Sequence, residues 1–222
     1  MPDVEAPSRL SLSGAAIAKS PKTANHNLFP AKPHKGRNSA MKVLGLIAAA
    51  VVTALACPAS AFEISSPAVG ADGTIPAKHT ANTFGCTGEN ISLPLVWKDV
   101  PADAKSLALT MYDPDAPTGS GFWHWLIVNL PPSVTSLDEG VGEPGNAKLP
   151  EGSVQARGDA GFAGYMGPCP PEGDPPHRYI FTIFAVKTDK LDIDENTSGA
   201  VVGFNLHFNT IDKASVTYTY GR

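Results

Sequence analysis

Three stretches of this chain leave little freedom in how it folds. Ser106–Tyr112, Trp125–Leu130 and Tyr179–Val186 are each rich in Leu, β-branched or aromatic residues, and each is bounded by Pro, Gly or Asp. Two of them are almost continuously apolar, the pattern of strands covered on both faces. Val216–Tyr220 alternates, as a half-exposed strand does. The 21 Gly and 21 Pro among 222 residues suit short strands and many turns better than long helices. One helix is expected. Val201, Phe204, Phe208 and Ile211 recur at i, i+3, i+7 and i+10 as its apolar face, with Thr197 or Ser198 as cap. Residues 138–176 are mostly Gly, Pro and charge, a long irregular segment of the kind that is usually functional or mobile.

Charge is distributed unevenly. Residues 1–40 carry six Lys/Arg and two Asp/Glu with no helical or strand period, and are expected to form an unstructured upstream segment. Met41-Lys42 is followed by fourteen uncharged residues, Val43–Ala56, and then by Ala59-Ser60-Ala61. A basic residue, an apolar run of that length and an A-x-A ending read as a secretory signal peptide over 41–61. The run falls short of the ~20 apolar residues a membrane span needs. A natural start at Met41 and a genuine basic leader before it both fit. Cleavage after Ala61 leaves 62–222 as one periplasmic or secreted domain with 10 basic and 19 acidic side chains. Such an acidic exterior disfavours nucleic acid as a partner. Ala54-Leu55-Ala56-Cys57 keeps open a form lipid-anchored through Cys57. In the soluble form only Cys86 and Cys169 remain, and an even pair in an exported domain reads as a disulfide.

Chemistry-bearing residues gather in three places. Asp113-Pro114-Asp115-Ala116-Pro117 follows a strand directly, and its prolines present the carboxylates from a stiff turn. In Phe122-Trp123-His124-Trp125 a histidine enters an apolar strand between two indoles. Gly164 to Gly173, with Gly167-Pro168-Cys169-Pro170-Pro171 at its centre, forms a rigid loop whose free N–H groups can face an anion, and His177-Arg178-Tyr179 follows. Taken singly, each has an ordinary structural explanation, as a strand-ending turn or a packed core histidine. In this order, DPDAP, HW, GPCPP and HRY closely resemble the phosphatidylethanolamine-binding protein family, and within it the bacterial YbhB/YbcL, or Raf kinase inhibitor-like, branch. The resemblance covers essentially all of 62–222, including Gly85–Asn90 and Ser198–Phe204.

The resemblance implies a mainly β fold, a Greek-key sandwich of two antiparallel sheets with a few short helices, and a small anion pocket at one end. Carried over residue by residue, that pocket comprises Asp113, Pro114, His124, Gly167, Cys169, Pro170, His177 and Tyr179. The implied function is an exported binding module for phosphate or a phosphorylated headgroup, acting on its own or as inhibitor or regulator of another protein, with a homodimer open by family analogy. No cofactor, catalytic residue or metal ligand is implied. This chain departs from the eukaryotic members in having Trp123 before His124 and Pro168 in the loop, where no N–H can donate. It also ends without their C-terminal helical cover.

The physics of such a pocket is coherent. Imidazoles can donate to a phosphate-like oxyanion, Asp113 can orient a ring or accept from a ligand, and Tyr179 OH can complete the donor set. Arg178 should face the opposite side of its strand from His177 and Tyr179. The alternative is an acid–base hydrolase of phosphoesters or acyl esters using the same Asp/His/Tyr cluster. Against it, the chain has neither a G-x-S-x-G elbow nor H-E-x-x-H.

Overall fold

The computed structural model describes residues 61–222, so the upstream segment, the signal peptide and Cys57 lie outside the described residues. Eight strands and one α-helix follow in the order β1 (Glu63–Ser65), β2 (Leu95–Lys98), β3 (Ser106–Asp113), β4 (Phe122–Leu130), β5 (Ser136–Leu137), β6 (Val154–Gln155), β7 (His177–Val186), α1 (Gly199–Asn209) and β8 (Thr210–Tyr220). A single 3-10 turn at Ala77–His79 precedes β2. The three apolar stretches read from the sequence are β3, β4 and β7. They lie side by side in a five-stranded sheet of order β6-β4-β3-β7-β8. The other sheet is small, in the order β1-β2-β5, and every pairing in both sheets is antiparallel.

Two apolar layers explain why the central strands are apolar on both faces. Leu107, Leu109 and Met111 of β3, with Trp125 of β4 and Phe181 of β7, pack towards Ile64, Leu95 and Trp97 of the small sheet. On the other face Ala108, Leu126 and Val128 meet Leu191, Ile193 and the helix residues Val202 and Leu206. The large sheet is therefore the middle layer of three. Asn129 holds the outer covering segment in place: its side-chain amide donates to Leu191 O, and its Oδ1 accepts from the Leu191 N–H. The mainly β sandwich is the fold class expected. Its helical content is smaller than "a few short helices", since the described residues hold one α-helix and one 3-10 turn.

The helix presents a different face from the one its spacing implies. Phe204 and Phe208 are 65% and 57% exposed, and Val201 is exposed too. Gly199, Val202 and Leu206 face inward instead. Gly199 sets this orientation, because a Cβ there would lie 2.5 Å from the Trp123 ring. The absent side chain lets the helix start against the indole, and the i+3 and i+7 positions then fall on the sheet. Ile211 belongs to β8, which begins where the helix ends. Ser198 is the N-cap residue, though its side chain makes no capping bond. Leu206→Ala should therefore lower unfolding free energy by about 2–4 kcal/mol, whereas Phe208→Ala should change it by less than about 1 kcal/mol. Urea unfolding of the two variants checks this, and equal losses would contradict it.

Candidate functional site

Asp113 is the last residue of β3, and it stands on the inner face shared by Leu107, Leu109 and Met111. His177 and Tyr179 open the neighbouring strand β7, both inward, while Arg178 between them points out. Arg178 is held there by Asp115. Its Nε and Nη2 donate to the two carboxylate oxygens at 2.9 and 2.7 Å, and its backbone N–H donates at 2.9 Å. The Asp115 carboxyl is accordingly drawn down to about 2. The second aspartate of the DPDAP turn thus ties that turn to the start of β7, where pairing with β8 turns His177 inward.

His124 arrives by an irregularity. Trp125 pairs with Met111 and Trp123 with Tyr112, so β4 has one residue more than β3 at this point, and that residue is His124. Such a bulge re-aims a side chain at a sheet end. His124 then sits between Phe122, tilted against it at 4.8 Å, and Tyr179, met edge-on at 5.2 Å between ring centroids.

These residues converge. Asp113 Oδ1 accepts from the backbone N–H groups of Asp115 (2.8 Å) and Ala116 (3.1 Å). Its Oδ2 accepts from His177 Nδ1 at 2.8 Å, and His124 Nε2 stands 3.9 Å away, too long for a full hydrogen bond. The carboxyl is buried, which alone would raise its pKa, but the two histidines and the Asp115 N–H outweigh burial and hold it below the usual carboxylate range. His124 Nδ1 lies 2.8 Å from Met166 O, a group that can only accept, so that nitrogen carries the proton and Nε2 is left on the cavity side. His177 Nε2 is 3.6 Å from Asp174. Tyr179 is 0% exposed, and its OH has no hydrogen-bond partner. Burial and, after it, the charge of Asp113 raise its pKa, so the hydroxyl stays a donor.

The cavity these groups line encloses about 300 Å³. Of the residues singled out in the sequence, Asp113, His124, Cys169, Pro170, His177 and Tyr179 border it. Pro114 and Gly167 do not. Gly167 donates its N–H to Asn90 Oδ1 at 2.8 Å, and a Cβ on it would meet His79 O at 2.4 Å. It is a close-packing residue, and its N–H is not free for an anion. Pro114 stiffens the turn behind Asp113. Also bordering the cavity are Phe84, Thr118, Phe122, Asp159 and Met166, none of them among the expected ligand residues. For Phe84 the signal was present: it lies two residues from Cys86, whose partner Cys169 is in the pocket loop. Among the described residues no group of three His, Cys, Asp or Glu is arranged to hold a metal.

The rim is tied together from three sides. Cys86 and Cys169 are joined by a disulfide. Arg222 donates from Nε to Pro170 O (2.7 Å) and from Nη1 to Gly85 O (3.1 Å), and Ala81 N–H donates to Pro168 O (3.0 Å). Between these ties Phe84 adopts φ +54°, a left-handed backbone that costs a residue with a side chain roughly 1–2 kcal/mol.

The sequence family profile for phosphatidylethanolamine-binding protein matches residues 65–221. The chain belongs to the phosphatidylethanolamine-binding protein family. It is 44% identical over 180 residues to the UPF0098 protein YbcL of Escherichia coli (strain K12), a match covering 81% of this chain and 98% of that one. It is 50% identical over 143 residues to the UPF0098 protein YbhB of the same organism, covering 64% and 89%. The crystal structure of E. coli YbcL superposes with a TM-score of 0.71 at 46% identity, over 72% of this chain and 98% of that one. A homologue from Chlamydia trachomatis, CT736, superposes with a TM-score of 0.61 at 32% identity, over 73% and 98%.

The Asp113 network has a pH signature. A folded pKa below the unfolded value near 3.8 contributes stability that is present above about pH 4 and lost as pH falls through the folded value. Asp113→Asn should lower stability at pH 7 by about 1–3 kcal/mol. It should also lose less than the wild type between pH 5 and about pH 2. Equilibrium unfolding across that range decides, and parallel curves for the two proteins would contradict the network.

Proposed function

We propose that this member of the family is an exported binding module whose pocket takes a small anion, a phosphate or phosphorylated headgroup, through His124, His177 and Tyr179. The observation that carries the reading is the buried Tyr179 hydroxyl. It is a donor without an acceptor, carried by a residue that lines the cavity together with His124 and His177. A buried hydroxyl left unpaired costs about 1–3 kcal/mol, and an oxyanion with several lone pairs is the ligand that relieves it. Asp113 does not meet the anion as a donor. It fixes the His177 ring through Nδ1, so that Nε2 is the nitrogen left to face a ligand. Arg178, ion-paired with Asp115 outside, plays no part.

The Asp113–His177 pair is also the arrangement that orients a general base, so turnover is the outcome that would displace binding. Export belongs to the same reading. It is supported by the leader over 41–61 and by the Cys86–Cys169 disulfide, a bond that persists in oxidising compartments. Native protein from the cell envelope should begin at Phe62, and N-terminal sequencing that finds residues 1–61 intact would contradict export by cleavage.

His124→Ala and His177→Ala should each weaken inorganic phosphate binding by about tenfold or more, the loss of one charge-assisted hydrogen bond. Calorimetric titration measures this, with a thermal melt to check that each variant is folded. Unchanged affinity in both folded variants would make these histidines core residues. Hydrolysis of p-nitrophenyl phosphate, abolished in either variant, would establish the hydrolase instead.

A further inference from the structure

An inorganic phosphate leaves much of this cavity unused. Its four oxygens, each taken at the ~30 Å³ a water molecule occupies, come to roughly 120 Å³. The cavity encloses about 300 Å³. The polar groups sit together at its floor. The remaining wall is mostly apolar, with Phe84, Phe122, Met166, Pro170 and Pro171 among its members; its polar members are Thr118 and Asp159, whose Oδ2 accepts from the Trp123 N–H.

Phe84 is the unusual member of that wall. It is 74% exposed, although a phenylalanine gains nothing from water. It holds a left-handed φ of +54°, a conformation a bulky residue keeps only where its surroundings impose it. Those surroundings are the Cys86–Cys169 disulfide two residues on and the Arg222 hydrogen bond to Gly85 O one residue on. Its own carbonyl touches Cys169 Sγ at 3.6 Å. Fold packing does not ask for this: Phe84 belongs to neither core layer. The tied rim holds an aromatic ring at the mouth of the anion site in a position it would not keep as a free turn.

We propose that Phe84 is the specificity-determining residue of the site, and that the ligand is a phosphate monoester carrying an apolar organic group which lies on the Phe84 ring while the phosphate occupies the His124/His177/Tyr179 floor. This rests on the anion reading above and adds to it the class of ester. A bare phosphate, or one whose ester group is charged, leaves the apolar wall wet. An apolar ester group removes both surfaces from water, at a gain proportional to the area buried.

Calorimetric titration of the disulfide-bonded protein with inorganic phosphate, phosphoethanolamine and butyl phosphate tests this, on the wild type and on Phe84→Ala and Phe84→Gly. Wild-type protein should bind butyl phosphate about tenfold or more tightly than either of the others. Phe84→Ala should lose that preference while binding inorganic phosphate within about twofold of wild type. Phe84→Gly, which accepts a positive φ without strain, should behave in the same way and melt within about 5 °C of wild type. Equal binding of phosphate and butyl phosphate by wild type, or a preference surviving in Phe84→Ala, would overturn the proposal and leave the anion site standing. A melting temperature lowered by more than about 5 °C in Phe84→Gly would mark Phe84 as a structural prop and overturn it too. Failure of all three ligands to bind wild type would remove the anion reading, and this inference with it.

Discussion

The buried carboxylate of Asp113 is the interaction on which the site depends. Its two oxygens accept from two backbone N–H groups of the following turn and from His177 Nδ1, and His124 Nε2 stands at 3.9 Å. A carboxylate with that many partners can stay ionised where burial alone would neutralise it. It ties three elements, the end of β3, the DPDAP turn and the start of β7, to one point.

The architecture makes such a point available only where it occurs. Along the inner face of β3 the side chains run Leu107, Leu109, Met111 and then Asp113, so the apolar filling of the sandwich gives way to charge at its end. β4 and β7 flank β3 on either side, and each contributes a histidine at the same end. The irregular segment before β7, pinned by the Cys86–Cys169 bond and by Arg222, closes over that end. The 83-residue separation of the two cysteines means that the bond joins the segment before β2 to the pocket loop. In the chain-entropy account a closure of that length is worth roughly 4–5 kcal/mol. Stability and the shape of the pocket mouth therefore share one covalent link.

Much of this is legible in the residues. β3, β4 and β7 were readable because strands buried on both faces must be apolar throughout, and Arg178 was readable as outward from strand alternation alone. The disulfide followed from an even cysteine pair. The helix face was misread because spacing reports which apolar residues share a side, not which side meets the sheet. Gly199 against Trp123 decides that, through a contact 76 residues away in sequence. His124 as a bulge residue depends on the register of β4 against β3, which no local pattern encodes. Gly167 looked like an anion donor because loop glycines often are, but its N–H is taken by Asn90, 77 residues earlier. Phe84 carries no motif, and only the closed rim gives it a role.

The claim that one anion bridges the floor of the pocket is tested most directly on the histidine rings themselves. In a ring nitrogen–proton correlation experiment with inorganic phosphate added in steps, the Nε2 signals of His124 and His177 should move together along one saturation curve. Those of His79, buried beneath the pocket loop, and His207, on the helix, should stay where they are. Stationary signals from His124 and His177, or movement of only one of them, would contradict a shared site.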